Sequence, residues 1–203
     1  MTTPGLRERK KQQVRERISG IATMLFLERG FDEVSVAEIA EAAGVSKMTV
    51  FNYFPRKEEL FFDRVPQLVE MITSAVRERD PGVAATDALR EMWLGLLDAR
   101  HPLAGMNDGI SMFWGVVLRS TALRARVREA LEEVEALIAA LFAEAGVPHP
   151  EMTAALVLAA VRVRYVEAAR RIMGGEPADS FRAEQRVRIV AAWGEAVAAA
   201  SRG

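Results

Sequence analysis

Two helix starts, at Ser35 and Ser46, constrain the 203-residue chain more than any other feature. In Ser35-Val-Ala-Glu38 the serine hydroxyl can cover the amide of Glu38 while the Glu38 carboxylate reaches back to the amide of Ser35. Val34 and Ile39 occupy the two staple positions around this capping box. A helix therefore begins at Val36. It must be short, because Gly44 follows, and Val45-Ser46 repeats the staple-and-cap arrangement with Val50 as the fourth residue of the next helix. Ile39, Ala40, Ala43, Gly44, Val45, Val50 and Tyr53 then supply the small crossing residue, the turn glycine and the buried positions of a helix-turn-helix. Generic two-helix hairpins share part of this pattern, and the adjacent chemistry separates the two.

Upstream, Val14, Ile18, Ile21 and Leu25 form one apolar stripe of a helix predicted from about Leu6 to Arg29. Gly30 ends it, since glycine adopts the left-handed conformation after a cap, and Phe31 folding back on Phe26 would complete a Schellman stop. All four lysines (Lys10, Lys11, Lys47, Lys57) lie in the first 57 residues, and residues 1–17 carry six basic against two acidic side chains, although the net charge is −1. Taken alone, RERKKQQVRER is a solvated helix face. Followed by two capped helices, it marks the basic end of the chain.

The turn releases a helix N-terminus at Ser46-Lys47-Met48-Thr49, with positive partial charge and free amides, followed by Phe51, Asn52 and Tyr53. Short polar, aromatic and basic groups there suit a groove. Lys57 opens the next helix, the wrong end for a cation, where Glu58 and Glu59 complement the dipole; a phosphate would neutralise it.

Gly44-Val-Ser-Lys-Met-Thr-Val-Phe-Asn-Tyr-Phe-Pro-Arg-Lys-Glu-Glu-Leu60, preceded by Leu25-Phe-Leu-Glu-Arg-Gly-Phe31 and Val36-Ala-Glu-Ile-Ala40, resembles the N-terminal domain of TetR-family transcriptional regulators over residues 6–62. The resemblance implies an all-α homodimer: three N-terminal helices bind operator DNA, and a larger helical domain dimerises and binds a small-molecule inducer. Carried over residue by residue, Lys47, Met48, Thr49 and Asn52 match the segment that faces base edges and flanking phosphates. Tyr53 and Lys57 match a phosphate-contacting aromatic and lysine, and Ser35 and Ser46 sit where helix-start groups meet the DNA backbone. Phe51 stands where tyrosine is common, and Met48 replaces a common glycine, adding a thioether able to touch a thymine methyl. Arg56 replaces a common capping serine, a loss of about 1 kcal/mol that a phosphate contact would offset in the complex.

Beyond Val65 every basic residue is arginine, and no strand-like alternation or repeat occurs. Proline and glycine punctuation predicts a bundle with helices near 84–100, one ending near 119, and others near 123–145, 150–173 and 181–200. Pro66 falls inside a helical stretch from Lys57 to Arg79 and should kink or split it. This places a helix-turn-helix DNA-binding domain at 1–64 and a ligand-binding and dimerisation domain at 65–203. The joint either transmits motion between them or is a structural kink.

On the 150–173 helix, Thr153, Ala160, Arg164, Glu167 and Arg171 share a narrow face, while apolar residues cover most of the rest. So wide an apolar surface needs a second neighbour, and the alanine-rich last helix allows close approach. Both features predict a homodimer through the last two helices, the pairing that the resemblance also implies. Arg162 falls within the apolar arc, where a buried guanidinium must be paired. Its partner is either an acid of the fold, such as Asp98 or Asp108, or the anionic head group of a ligand. Trp93, Met106, Met112, Phe113, Trp114 and Tyr165 are candidates to line an apolar ligand pocket, or are plain core.

With 50% hydrophobic and 27% charged residues the chain is globular rather than disordered. The lack of cysteine excludes thiol and iron–sulfur chemistry, and His101 and His149 are the sole imidazoles. A phosphate loop, a GxSxG elbow and HExxH are all missing, so no catalytic residue, metal or cofactor is assigned. No apolar run reaches the length of a membrane span, and the basic start is not followed by a signal-peptide core, so a cytoplasmic protein is expected. These features point to a ligand-responsive DNA-binding regulator, a repressor released from a palindromic operator by a small apolar or amphipathic molecule. An activator of the same fold, or an all-helical enzyme acting on acyl or aromatic ligands, is the alternative.

Overall fold

A computed structural model of the protein describes residues 5–107 and 109–202, and every regular element among them is helical. In chain order these are α1 (Leu6–Arg29), α2 (Val36–Ala42), α3 (Lys47–Tyr53), α4 (Lys57–Phe61), α5 (Val65–Arg77), α6 (Ala85–Asp98), α7 (Ile110–Arg119), α8 (Thr121–Glu144), α9 (Pro150–Met173) and α10 (Arg182–Ala200). Short 3-10 turns lie at Pro102–Ala104 and Ala178–Phe181. They form two compact units: the chain up to Asp63 together with Met112–Val127, and Arg64–Ser111 together with the chain from Arg128 onward.

In the first unit α1 buries Ile18, Ala22 and Phe26 completely, with Val14, Ile21 and Leu25 half-buried beside them. Gly30 stops α1 as expected, but by another geometry. Its φ is 91° and its ψ 153°, an extended turn in which its amide donates to Phe26 O at 2.9 Å, so the Schellman stop is not made there. Phe31 nevertheless lies on Phe26, with ring centroids 4.9 Å apart. The Schellman pair of bonds appears one helix later. At the end of α2, Val45 N donates to Ala40 O and Gly44 N to Glu41 O, both at 3.0 Å, with Gly44 left-handed at φ 62°.

The stretch after Lys57 splits between α4 and α5. Pro66 sits in the first turn of α5, where a missing amide costs nothing. At the break itself, the Arg15 guanidinium of α1 donates twice to the carbonyl of Asp63 at 3.2 Å. Val116, Val117 and Leu123, from the end of α7 and the start of α8, complete the same core. Phe113 stacks on Phe61 with centroids 4.9 Å apart and planes 10° from parallel.

The second unit packs α5, α6, α8, α9 and α10 around Ile72, Leu89, Ile138, Phe142, Val157 and Trp193. The face of α9 bearing Arg164, Glu167 and Arg171 turns toward α10: Glu167 pairs with Arg188 at 3.6 Å and Arg171 with Glu184 at 3.1 Å. Apolar residues left exposed on α9 and α10 include Met152 (56%), Val163 (45%) and Met173 (46%), with Val187 (68%) and Val190. Arg162 is exposed as well, which corrects the expectation of a buried guanidinium. Helical projection finds a polar face but cannot tell whether it meets water or a charged neighbour, and here it meets a neighbour.

Candidate nucleic-acid interface

The site is built on α2, Gly44 and α3. Ser35 closes the capping box: Glu38 N donates to its Oγ at 3.2 Å, and Ser35 N donates to Glu38 Oε2 at 2.8 Å. Arg29 from the end of α1 donates to the other Glu38 oxygen at 2.7 Å. The Ser35 amide first, then its hydroxyl and Arg29, hold the Glu38 carboxyl down to about 2. Ser46 caps α3, its Oγ accepting from Thr49 N at 3.0 Å and lying 2.8 Å from Thr49 Oγ1. Each cap uses an acceptor lone pair of its serine hydroxyl.

Val50 is fully buried and Phe54 nearly so, which anchors one side of α3. The opposite side presents Lys47, Met48 (69% exposed), Phe51 (38%) and Asn52 to solvent, with Thr49 and Tyr53 half-buried. The Lys47 ammonium lies 5.9 Å from the Phe51 ring centroid. A methionine and a phenylalanine exposed beside a lysine and an amide form a surface that can meet a thymine methyl, a sugar and a phosphate together.

The two residues at the start of α4 have partners within the chain. The Arg56 guanidinium lies 3.8 Å from Glu58 Oε2, and no side chain caps α4 among the described residues. Lys57 donates to the carbonyl of Phe31 at 2.6 Å, and its ammonium stands 4.3 Å from the Phe31 ring centroid. Burial pushes the Lys57 ammonium down from its ordinary value, against the nearby Asp32 carboxylate, which raises it. A cation at the wrong end of α4 is thus accommodated by the α1–α2 connection. Sequence reasoning missed this role. It also missed Arg15, which besides bonding Asp63 sits 4.7 Å from the Phe54 ring centroid; only its place in a basic run was visible.

The seven candidate ligand residues fall in three places. Trp93, Met106 and Tyr165 meet in the second unit around a cavity of ≈ 20 Å³, room for about one water, with Leu97, Ala104, Val161, Gln185 and Ile189. Met112, Phe113 and Trp114 belong to the first unit, where Phe113 and Trp114 pack on its core and Met112 is exposed. Arg162 lies on a separate, shallow cleft of ≈ 240 Å³ with Arg128, Glu132 and Glu135. Of its two expected acid partners, Asp98 is bonded to Arg186 at 3.4 Å, and Asp108 lies outside the described residues.

A capped helix-turn-helix on a three-helix head, joined to a larger helical unit, defines a helix-turn-helix regulator by fold. Residues 21–63 match the model of bacterial regulatory proteins of the tetR family. The chain is 29% identical over 143 residues to the HTH-type transcriptional regulator TcmR of Streptomyces glaucescens, covering 69% of this chain and 63% of TcmR. It is 30% identical over 139 residues to the HTH-type transcriptional regulator RutR of Escherichia coli K12, covering 68% of this chain and 66% of RutR. The matches thus span just under two thirds of each relative. The fold is shared with Bacillus subtilis FadR, solved in complex with stearoyl-CoA, at a TM-score of 0.56 and 18% identity, over 87% of this chain and 97% of FadR. The chain belongs to the TetR family of transcriptional regulators. Among the described residues no helix is long and apolar enough to cross a membrane, and no cluster of acidic or histidine side chains is placed to hold a metal.

Proposed function

We propose that this regulator binds an approximately palindromic operator as a homodimer, in the cytoplasm where that DNA lies, and represses until a small apolar or amphipathic molecule releases it. The observation that carries this reading is the solvent-facing side of α3, with Lys47, Met48, Phe51 and Asn52 held outward by a buried Val50. In the proposed complex Ser35, Ser46, Thr49, Tyr53, Arg56 and Lys57 meet the DNA backbone around it. Residues 1–64 carry the DNA-binding role and 65–203 the ligand and dimer roles. The exposed apolar strip of Met152, Val163, Val187 and Val190 supports a dimer through α9 and α10, which would set two α3 helices one duplex turn apart.

Two observations support a ligand in the second unit. FadR of the same fold was solved with stearoyl-CoA. In this chain the indole N–H of Trp193 is buried in an apolar core with no acceptor among the described residues, so an acceptor-bearing amphipathic molecule would satisfy it. An inducer acts only through a difference in affinity between the DNA-bound and released states.

The test is selection of duplexes from a random pool by the full-length protein, followed by anisotropy titration over a range of salt. Selected duplexes should share a palindrome, Met48→Ala and Asn52→Ala should change which bases are preferred, and affinity should fall as salt rises. A pool that yields no enriched sequence, with no salt-dependent binding, overturns the reading.

A further inference from the structure

The connection between α1 and α2 is gripped from two sides inside the first unit. On one side Lys57 of α4 donates to Phe31 O at 2.6 Å. On the other stands Ser120, the single residue between α7 and α8, only 2% exposed. Its hydroxyl donates to Asp32 Oδ1 at 2.9 Å and accepts from Leu123 N at 3.4 Å, so one oxygen both caps α8 and ties the α7–α8 corner to the α1–α2 connection. Because a carboxylate only accepts, the hydroxyl proton is committed to Asp32. Val116, Val117 and Leu123 seal the corner into the same core as Ile39 and Val50 of the reading helices. Asp32 lies three residues before Ser35, the cap of α2.

We propose that Ser120 and Asp32 are positioning residues for DNA recognition: their hydrogen bond fixes the direction in which α2, and through the Gly44 turn α3, leaves the unit. This rests on the reading of α3 as the base-contacting helix and adds to it that residues outside 1–64 set how that helix is presented. The two kinds of DNA contact differ in what loosening would do to them. Hydrogen bonds to base edges weaken steeply with misalignment, whereas attraction to phosphates falls off slowly with distance. Loss of the bond should therefore lower affinity for a chosen sequence and leave affinity for arbitrary duplex, with its salt dependence, unchanged. Neither residue belongs to the proposed DNA-contacting surface.

The experiment uses the full-length protein, a duplex selected by the wild type from a random pool, and an unrelated duplex of the same length. Anisotropy is measured at one salt concentration, well below the unfolding temperature. Ser120→Ala and Asp32→Ala should each reduce the ratio of the two affinities by about 2- to 10-fold, as expected for one lost hydrogen bond. The double variant should fall no further than either single one, and Asp32→Asn, which keeps the acceptor oxygen, should restore the ratio. A role in stability alone would lower the melting temperature and leave the ratio unmoved, and that result overturns the proposal, as do additive losses in the double variant. If Ser120→Ala does not fold, Asp32→Ala, at an exposed position, decides the matter by the same ratio. A wild type that enriches no sequence defeats the base-contacting reading of α3 itself, an outcome distinct from loss of the ratio in the variants.

Discussion

Replacing Lys57 by methionine separates two jobs that the residue could perform. The stem of methionine fills the same space against Phe31 and Phe26, while the ammonium and its bond to Phe31 O are lost. A hydrogen bond with a charged donor contributes about 1.5–3 kcal/mol and a cation over an aromatic face about 0.5–1 kcal/mol. Against these stands the burial that holds the ammonium below its ordinary value, a cost that Lys57→Met removes. The net loss expected is about 1–2 kcal/mol, or roughly 2–8 °C in melting temperature for a chain of this size. Thermal unfolding followed by circular dichroism measures it. The same variant, titrated with duplex DNA across salt, reports any phosphate contact as a slope shallower by about 0.9. An unchanged melting temperature with a shallower slope would refute the assignment of the ammonium to the α1–α2 connection and return it wholly to DNA.

Two other perturbations test the local architecture. Glu38 is held at about 2 in the folded chain against an ordinary 4.5, so its contribution to stability is complete above the ordinary value and is lost as pH falls from there toward about 2. Glu38→Gln should lower the urea midpoint at neutral pH and flatten its decline between those two values; an acid limb as steep as that of wild type would show that the capping box is not the titrating element. Gly44→Ala meets no atom within 4 Å, so its cost comes from the backbone at φ 62° alone, about 1–2 kcal/mol. Urea titration measures this cost, and an unchanged midpoint would mean that the turn relaxes.

The helix boundaries were legible where the signal was local. α2 and α3 start where their serine caps predict, because a cap satisfies amides within one turn of itself. α1 ends at Gly30, and α9 runs from Pro150 to its cap at Gly174, as the punctuating glycine and proline residues predict. Gly30 and Gly44 show the limit of that logic. Both are glycines after a helix with positive φ, yet only Gly44 makes the Schellman bonds, since the chain after Gly30 must extend to bring Phe31 against Phe26 and offer its carbonyl to Lys57. The α4–α5 break illustrates the same point. Pro66 signalled a discontinuity, but the partner that takes up the freed carbonyl of Asp63 is Arg15, a residue whose sequence context shows only a basic run.

The outward side of α3 was readable because exposure there follows from period and caps, and Val50 alone sets which side is buried. Where the candidate ligand residues would gather was not, because large apolar side chains carry no mark of which core they join. Met112, Phe113 and Trp114 lie beyond Pro66 in sequence and yet belong to the unit that holds the reading helices. This follows from the path of the chain: α7 begins in the second unit and ends in the first, and α8 begins in the first and ends in the second. Both helices are continuous across the division. Ser120 sits within the first unit at the corner between them, with its hydroxyl committed to Asp32, so the sequence distance between the two residues hides a contact that the path of the chain creates.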